Sequence, residues 1–403
     1  MTQDAEAIRA RAEDVAQAGV WLRSVSTKER VHWLSKASST LARRAEDACT
    51  ALSEATGLSA PMVRWATRTT LDTIGEETLL ELAAQASKRS SPSSKPIAML
   101  SLVLAGNVFT ASVRGILVPL LLGVPVLAKV SSKDSLFPAM LLDAIRDSDP
   151  RLGASLDLVT FTGGDAALEA AFVERADAVS AYGSDETIAA MALRLGAKPL
   201  IAHGHGVSVA YCDAEALHAR AIDETIERLA LDISAYDQRG CLSPQLVYVE
   251  ETRHMTALSF ARRLCEEGLG PMGLSLPRGA LPIATGAVQA QWRGLAEVEG
   301  DLLRGDAYAV AVRPSHPIRW SPGYRNVSLS PVSGIDDALH AMKPIGSNLK
   351  CIGASLNSVS SLRDRLAQSR ALGAYVCALG EMQIPALDAP ADGRPIWYGL
   401  FRP

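Results

Sequence analysis

One cysteine of the chain sits where its thiol can be used for chemistry. Cys241 follows a glycine and separates a helical pattern that ends at Ala235 from a strand-like apolar run at residues 245–249. Its neighbours Gln238 and Arg239 are polar and cationic, which is an unusual setting for a buried thiol. A thiol at the end of a loop near a cation can have a lowered pKa and act as a thiolate nucleophile. The alternative is a free cysteine that serves as a small apolar side chain, because nothing local supplies a general base.

Length and composition restrict the class of protein. The 403 residues, 48% of them hydrophobic, can bury a large core, and two domains are expected. A net charge of −4 and a pI near 6.0 provide no broad basic field for nucleic acid. Polar residues and prolines interrupt the apolar residues 97–128, so no membrane span is expected. The acidic start, MTQDAE, is unlike a signal peptide, and we expect a cytoplasmic globular protein.

The cysteines give no sign of a disulfide framework or a metal site. They are widely separated, they form no C-x-x-C pair, and no metal-ligand spacing occurs among them. This pattern is typical of reduced thiols in the cytoplasm and predicts no bound metal. The six residues are Cys49, Cys212, Cys241, Cys265, Cys351 and Cys377.

The elements that must position Cys241 fall into two parts. Residues 3–90 carry helical spacing, and Ser26 or Thr27 is expected to cap one helix with Glu29 in its first turn. After a Ser/Pro-rich break, five apolar runs alternate with helical patterns, which predicts a parallel sheet covered on both faces. Ligands of such sheets bind beyond the carboxyl ends of the strands. The runs are residues 97–104, 124–130, 156–161, 178–182 and 199–202.

No standard nucleotide-binding motif is present. Residues 204–209, GHGVSV, approach the dinucleotide fingerprint, but they precede a strand-like run and open no helix. A Walker A loop is absent as well. A long helical pattern over residues 213–235 then leads to the cysteine loop, and a second α/β stretch continues to about residue 369. The tail, residues 380–403, is rich in Pro and Gly and reads as a docked irregular segment.

The order of these elements resembles the aldehyde dehydrogenase superfamily across nearly the whole chain, and most of all the acyl-CoA reductases of the LuxC type. Residues 237–245, DQRGCLSPQ, look like the cysteine motif of that branch. Residues 380–385, GEMQIP, and 392–395, DGRP, are similar to its C-terminal segment. The resemblance implies that Cys241 is the nucleophile.

The resemblance also implies an α/β fold of the aldehyde dehydrogenase type. Residues 1–212 are expected to form a Rossmann-type NAD(P)-binding domain with an N-terminal helical lead-in. Residues 213–373 are expected to form an α/β catalytic domain that carries Cys241. The C-terminal segment, residues 374–403, is expected to return to the cofactor domain.

Further site residues follow from the resemblance, each with a structural alternative. Asn107 matches the asparagine that helps to hold the oxyanion, a donor worth about 3–4 kcal/mol in the barrier; otherwise it is a turn residue. Lys129 matches the lysine that reaches the adenosine ribose, with a snorkelling strand-end lysine as the alternative. Gly183 and Ser184 match the turn that takes the pyrophosphate, with an ordinary helix cap as the alternative.

The cofactor preference depends on the residues that follow Lys129. In many NAD-preferring relatives a glutamate stands three positions later, where this chain has Ser132 and Lys133. Together with Ser131, these residues leave room and positive charge for a 2′-phosphate, so NADPH is expected, with NADH as the alternative. A second glutamate of the superfamily, which clasps the nicotinamide ribose, is missing from residues 325–331, RNVSLSP.

A further departure concerns hydrolysis. Oxidising relatives carry a glutamate that activates water, whereas residues 202–208, AHGHGVS, contain no carboxylate. Their Gly-x-Gly pattern, Gly204 and Gly206, is similar to that of CoA-acylating members and is expected at the cofactor. His203 and His205 are candidate proton donors or CoA contacts, with buried structural histidines as the alternative.

The function implied is reduction of an acyl-CoA thioester to an aldehyde by NADPH, with CoA as the leaving group and an acyl-cysteine intermediate. One alternative is a reductase of another activated acyl group, such as an acyl phosphate. Others are a cysteine acyltransferase or thioesterase without hydride transfer, and a non-catalytic binding protein. No segment resembles the projecting hairpin through which the superfamily oligomerises, so a monomer or small homo-oligomer is expected.

Overall fold

The apolar runs of the sequence form two parallel-stranded sheets. A computed structural model of the protein describes residues 4–89, 91, 93–131, 135–368 and 373–402. The strands are β1 (Lys95–Pro96), β2 (Leu100–Val103), β3 (Val126–Lys129), β4 (Leu156–Val159), β5 (Ala178–Tyr182), β6 (Leu200–His203), β7 (Val207–Cys212), β8 (Pro244–Glu250), β9 (Asp301–Arg304), β10 (Ala309–Val312), β11 (Asn326–Val332), β12 (Leu349–Ala354), β13 (Tyr375–Ala378) and β14 (Phe401–Arg402).

Helices cover the sheets and build the N-terminal part of the chain. They are α1 (Ala5–Ser24), α2 (Thr27–Asp47), α3 (Cys49–Thr56), α4 (Ala60–Leu71), α5 (Glu76–Arg89), α6 (Ala111–Leu121), α7 (Leu136–Ser148), α8 (Pro150–Ala154), α9 (Ala166–Val173), α10 (Asp185–Leu195), α11 (Ile222–Ser234), α12 (Ala257–Arg263), α13 (Gly270–Ser275), α14 (Ile283–Glu299), α15 (Ile335–Met342) and α16 (Leu356–Gln368). In the part of the chain that is described, no helix is both long enough and apolar enough to cross a bilayer.

The first sheet confirms the five strands predicted from the apolar runs. Its strands are all parallel and lie in the order β4-β3-β2-β5-β6. The order reverses between β2 and β5, and in doubly wound sheets ligands bind beyond the carboxyl ends of the strands at such a point. The predicted α/β class with parallel sheets is confirmed, and the sheet directs the loops after β2, β3, β5 and β6 towards one edge.

The second sheet has seven strands in the order β13-β12-β7-β8-β11-β10-β9, with only the β9–β10 pair antiparallel. Strand β7 is part of this sheet, although residues 207–212 were assigned to the cofactor unit in the predicted division of the chain. The division into domains at residues 212 and 373 remains a prediction. The return of the tail is visible in β14, which pairs with β1 beside the first sheet.

Local signals explain where the lead-in helices begin and how they pack. The side chain of Ser26 accepts the N–H of Glu29, whose carboxylate reaches back to Ser26, so the predicted cap of α2 is confirmed as a capping box. On α1 the buried residues Ile8, Ala12 and Val15 recur at helical spacing and face α9 and the first sheet.

The helix before the cysteine loop is shorter than predicted. The pattern over residues 213–235 predicts a continuous helix, but α11 begins only at Ile222, after a single turn of 3₁₀-helix at Glu215–Leu217. The carboxylate of Asp213 explains the break, because it accepts the N–H of Ala216 and the hydroxyl of Ser358. These bonds hold residue 213 in a cap at the end of β7 instead of a helix.

Candidate active site

The sheets face a single large cleft that gathers the predicted site residues. Its volume is about 1520 Å³, above the range of about 300–1,000 Å³ typical of small-molecule sites, so two ligands can be accommodated. Ser132 lies outside the described residues. All the other predicted residues line the cleft: Asn107, Lys129, Ser131, Gly183, Ser184, His203, Gly204, His205, Gly206 and Cys241.

Cys241 is accessible from this cleft, whereas the other five cysteines are buried. Its carbonyl accepts the hydroxyl of Ser208 at 2.7 Å, which ties the cysteine loop to β7. Gly240 lets the loop approach its surroundings closely, because a Cβ there would lie 3.2 Å from Val108 and 3.3 Å from Gln383. The thiol is therefore held at a wall of the cleft and not in the apolar core.

A strained turn precedes Cys241. Tyr236, Asp237 and Gln238 have φ values of 51°, 53° and 56°, a left-handed conformation that non-glycine residues rarely adopt. Asp237 holds this turn, since one carboxylate oxygen lies 2.7 Å from Arg325 and the other accepts the N–H of Gly279 at 2.9 Å. Both members of the ion pair are 1% exposed. The turn is thus fixed by a fully buried charge pair next to Cys241.

Residues 325–331 lack the glutamate expected to bind the ribose, and they lie behind the cysteine loop instead of in the lining of the cleft. Arg325 is committed to Asp237, and none of these residues, all of which are described, lines the cleft. The segment supports the cysteine loop from behind. Any contact with a cofactor ribose has to come from another part of the chain.

Asn107 contacts the cysteine loop directly. Its amide nitrogen donates a hydrogen bond of 2.8 Å to the carbonyl of Arg239, two residues before Cys241. The guanidinium of Arg239 points elsewhere and donates to the carbonyls of Thr56 and Tyr236. Arg239 is therefore not the cation that the local sequence suggested for the thiol. The oxyanion role of Asn107 remains a prediction that its position beside the loop permits.

The cleft raises the pKa of Cys241, in contrast to the lowered pKa that the local sequence suggested. Desolvation by the cleft walls is the main cause, and the negative charge of Asp392 adds to it. The cations of Lys350 and Arg114 act in the opposite direction. Formation of the thiolate therefore depends on cations brought from other elements.

Asp392 is the functional residue that the sequence analysis did not single out, although it opens the DGRP motif quoted for the C-terminal segment. Its carboxylate pairs with Nζ of Lys350 and lies 2.6 Å from Nδ1 of His203. Burial alone would raise the pKa of Asp392, but these two bonds outweigh it and lower the pKa to about 2. No local pattern signals this cluster, because its members come from three distant segments.

The two candidate histidines occupy different environments. The ring of His203 stacks on Tyr182 at 4.2 Å and is fixed by Asp392 through Nδ1, which leaves Nε2 as its second functional nitrogen. His205 is exposed, and its backbone N–H donates to Asp185 at 2.8 Å. The structure therefore favours His203 as the histidine with a defined orientation.

The loops after β2 and β3 line another part of the cleft, at the carboxyl ends of the strands of the five-stranded sheet. Nζ of Lys129 lies 5.0 Å from the centre of the Phe161 ring, and burial lowers the pKa of Lys129. A Cβ on Gly106 would lie 2.4 Å from Oγ of Ser131, so only glycine allows these two loops to approach. The predicted cofactor roles of Lys129 and Ser131 stay predictions.

The start of α10 confirms the helix-cap alternative for Ser184, whose hydroxyl accepts the N–H of Thr187 at 3.3 Å. Gly183 packs against the same threonine, with a Cβ position 3.0 Å from its methyl group. Gly204 is required because a Cβ there would lie 2.6 Å from Oδ1 of Asp185. A cap and a pyrophosphate site are compatible, so that role also remains a prediction.

Comparisons with known proteins agree with this architecture. The family model of the acyl-CoA reductase LuxC matches residues 68–395. Aldehyde dehydrogenase 21 from Physcomitrella patens, solved with succinate, has a TM-score of 0.76 at 17% identity and covers 100% of this chain and 90% of its own. A salicylaldehyde dehydrogenase from Pseudomonas putida G7 has a TM-score of 0.75 at 14% identity, covering 99% and 87%. No curated protein sequence matches.

A third solved structure, the NAD-dependent aldehyde dehydrogenase from Sinorhizobium meliloti, has a TM-score of 0.71 at 14% identity and covers 94% of this chain and 80% of its own. At these identities the solved structures establish the fold alone. The aldehyde dehydrogenase-like architecture predicted from the sequence is confirmed.

The buried ion pair predicts a large loss of stability on Asp237→Ala. The substitution leaves the charge of Arg325 buried without a partner, and we expect the free energy of unfolding to fall by about 3–5 kcal/mol in urea titrations. Glu46→Ala breaks the exposed pair with Arg64 and serves as the control, with an expected change below about 1 kcal/mol. A similarly small change for Asp237→Ala would contradict the anchoring role.

Asp392 predicts an acid-dependent contribution to stability. Its pKa falls from 3.8 to about 2 on folding, so its contribution is present above the unfolded value and is lost as the pH falls through the folded value. The shift corresponds to about 2 kcal/mol. We expect wild type to be more stable than Asp392→Asn at neutral pH, with a gap that narrows on acidification.

Thermal unfolding of both proteins between neutral pH and strong acid measures this gap. Asp364→Asn, on the exposed face of α16, controls for the loss of a surface carboxylate. A gap that stays constant down to the lowest pH would show that the Asp392 carboxylate is not stabilised by its partners.

Proposed function

The chain belongs to the LuxC family of acyl-CoA reductases, and from that premise we propose that it reduces an acyl-CoA thioester to the aldehyde through an acyl group carried on Cys241. One observation carries the proposal. The nucleophilic thiol is accessible in the cleft, while Asp392, the carboxylate whose charge acts on it, is bound to Lys350 and His203.

This arrangement favours reduction over hydrolysis of the acyl-enzyme. A carboxylate that activates water needs a pKa close enough to the working pH to accept a proton. The pKa of Asp392 is lowered to about 2, and both its oxygens already accept bonds. Asp392 is therefore a poor general base, so this carboxylate does not activate water against the acyl group on Cys241.

Acyl transfer requires only groups that the chain supplies. The Cys241 sulfur forms a bond to the thioester carbonyl carbon, and negative charge develops on the carbonyl oxygen. Asn107 and the backbone N–H of Cys241 are the donors proposed for that oxygen. The bond to the CoA sulfur then breaks and CoA leaves as a thiolate. Because the two sulfurs are similar leaving groups, this exchange needs no strong base.

His203 is the proposed donor of a proton to the CoA thiolate after its bond to the acyl carbon has broken. Nδ1 of His203 is bonded to Asp392 at 2.6 Å, so Nε2 is the ring nitrogen left for proton transfer. Stacking on Tyr182 limits rotation of the ring. His205 has an exposed side chain and is better placed for a contact with a ligand at the edge of the cleft.

The residues along the first sheet fit a nicotinamide dinucleotide, whose bound form supplies the hydride equivalent for the acyl group. The close approach at Gly106, the helix start at Ser184 and the cation of Lys129 all lie on the carboxyl edge of that sheet. NADPH is the proposed form, on the basis of Ser132 and Lys133. After reduction, the carbon–sulfur bond to Cys241 breaks, which frees the aldehyde and restores the thiolate.

Cys241→Ala should abolish formation of the acyl-enzyme. Incubation with radiolabelled acyl-CoA in the absence of NADPH, followed by denaturation, is expected to label wild type in a hydroxylamine-sensitive linkage and to leave the variant unlabelled. Cys49→Ala, which removes a buried thiol of the lead-in helices, should retain full labelling. Persistent labelling of Cys241→Ala would assign the acyl group to another residue.

Lys129→Met should separate cofactor binding from acyl transfer. If Lys129 contacts the adenosine half of the cofactor, its loss should raise KM for NADPH about tenfold or more, which corresponds to about 1.4 kcal/mol. The rate of acyl-enzyme labelling, which needs no NADPH, should stay at the wild-type value. Parallel titrations with NADH and NADPH measure the preference for the 2′-phosphate. An unchanged KM for both cofactors would remove Lys129 from the binding site.

A further inference from the structure

A single carboxylate joins groups from both sheets at the cleft. Asp392 lies in a tight turn of the C-terminal segment, where its φ is 52° and that of Gly393 is 70°, and a bridge between Ala391 and Arg394 closes the turn. One oxygen of Asp392 pairs with Lys350, a residue of β12 in the seven-stranded sheet. The other oxygen bonds His203 at the end of β6 in the five-stranded sheet.

The absence of a side chain at Gly206 leaves room for the Lys350 side chain near Cys241. A Cβ added to Gly206 would lie 2.4 Å from Cγ and 2.6 Å from Cε of Lys350, and 3.1 Å from Cβ of Cys241. The side chains of Lys350 and Cys241 therefore both pass close to Gly206. This contact leaves little room for a side chain at position 206, and the predicted role of Gly206 at the cofactor stays a prediction. Only 12% of the Lys350 side chain is exposed, so its charge is partly shielded from solvent.

Some groups around the Cys241 thiol oppose its thiolate form, and others, Lys350 among them, favour it. Desolvation and the charge of Asp392 oppose the thiolate, while Lys350 and then Arg114 favour it. The guanidinium of Arg114 also donates to the carbonyl of Ala389, which holds it against the C-terminal segment. The titratable and charged groups that act on Cys241 or respond to it are Asp392, Lys350, Arg114, Tyr182 and Cys351.

We propose that Lys350 is the cation paired with the Cys241 sulfur during acyl transfer, and that Asp392 is the positioning residue that holds the Lys350 ammonium there. The inference rests on the proposed function, since it takes Cys241 as the acyl acceptor. In the transfer step the Cys241 sulfur–carbonyl bond forms, the bond to the CoA sulfur breaks, and the negative charge moves from one sulfur to the other. Lys350 keeps its proton throughout and is attracted to the charge on either sulfur.

The pH dependence of Cys241 alkylation by iodoacetamide tests the role of Lys350 without any acyl-CoA. An opposite charge a few ångströms away typically shifts a pKa by about 1–3 units. We therefore expect Lys350→Met to move the midpoint of alkylation upward by about one unit or more and to slow acyl-enzyme formation near neutral pH about tenfold or more. Lys350→Arg keeps the charge and should restore most of both quantities.

Lys343→Met is the matched control, because Lys343 is an exposed lysine in the 3₁₀ turn just before β12. It should leave the alkylation midpoint unchanged. An unshifted midpoint in Lys350→Met, in a protein whose circular dichroism matches wild type, would overturn the inference. Should Lys350→Met fail to fold, a folded Lys350→Arg that loses acyl transfer and shifts the midpoint would overturn it as well.

Asp392→Asn tests the positioning role in two backgrounds. In the Lys350→Met background the substitution only removes a negative charge, so the alkylation midpoint should fall. In the wild-type background it also releases Lys350, so the midpoint should rise or stay constant. An equal fall in both backgrounds would show that Asp392 acts on the thiol by its own charge alone and would overturn the positioning role.

These measurements distinguish a failure of the proposed function from a failure of the roles given to Lys350 and Asp392. Wild-type protein that is alkylated at Cys241 but never labelled by acyl-CoA would contradict the proposed function. Normal labelling of wild type at Cys241, together with an alkylation profile that does not respond to Lys350, would contradict only the inference about Lys350 and Asp392.

Discussion

The buried ion pair between Asp237 and Arg325 is the interaction on which the site depends most. Three successive non-glycine residues, 236–238, hold left-handed conformations before the nucleophile, each less favourable than the right-handed form by about 1–2 kcal/mol. Such a turn persists only where surrounding contacts over-determine it. Asp237 provides those contacts, because its carboxylate joins Arg325 near the start of β11 and the amide of Gly279. The turn changes the direction of the chain after α11, so that Cys241 lies at the wall of the cleft.

The C-terminal segment completes the site, and aspartates fix it at both ends. Near its start, Asp232 on α11 accepts the N–H groups of Gly380 and Met382 at 2.6 and 3.1 Å. Farther along, Asp392 joins His203 and Lys350. The C-terminal segment has almost no regular structure. Its buried hydrogen bonds and ion pairs hold it in place as a wall of the cleft, as ladder hydrogen bonds hold a strand in a sheet. The tail is thus held by hydrogen bonds to Asp232 near its start and by the bonds of Asp392 farther along.

Apolar runs in the sequence predicted the first sheet, and the family resemblance together with polar neighbours singled out Cys241 as the candidate nucleophile. Strands buried on both faces are apolar at almost every position, which is why all five runs of the first sheet were recognisable. Cys241 stood out because its neighbours are polar. Lys350 and Asp392 had no such signal, since a lysine in a strand and an aspartate in a Pro/Gly-rich tail are ordinary surface residues until the fold brings them together. The contact between Gly206 and Lys350 is equally non-local and has no signal in the sequence.

The bonds that Asp392 makes to Lys350 and His203 affect two properties that the proposed reaction needs, the low basicity of Asp392 and the support of the Cys241 thiolate. Bonds to Lys350 and His203 lower the pKa of Asp392, and the bond to Lys350 holds this cation in the position proposed for the support of the Cys241 sulfur. Asp392 could activate water on an acyl-enzyme only by giving up the bonds that lower its pKa, and it would then release Lys350 and lose the support of the thiolate. Protection of the acyl group from hydrolysis and activation of the nucleophile are therefore not independent in this cleft. A change that made Asp392 a better base would at the same time make Cys241 a weaker nucleophile.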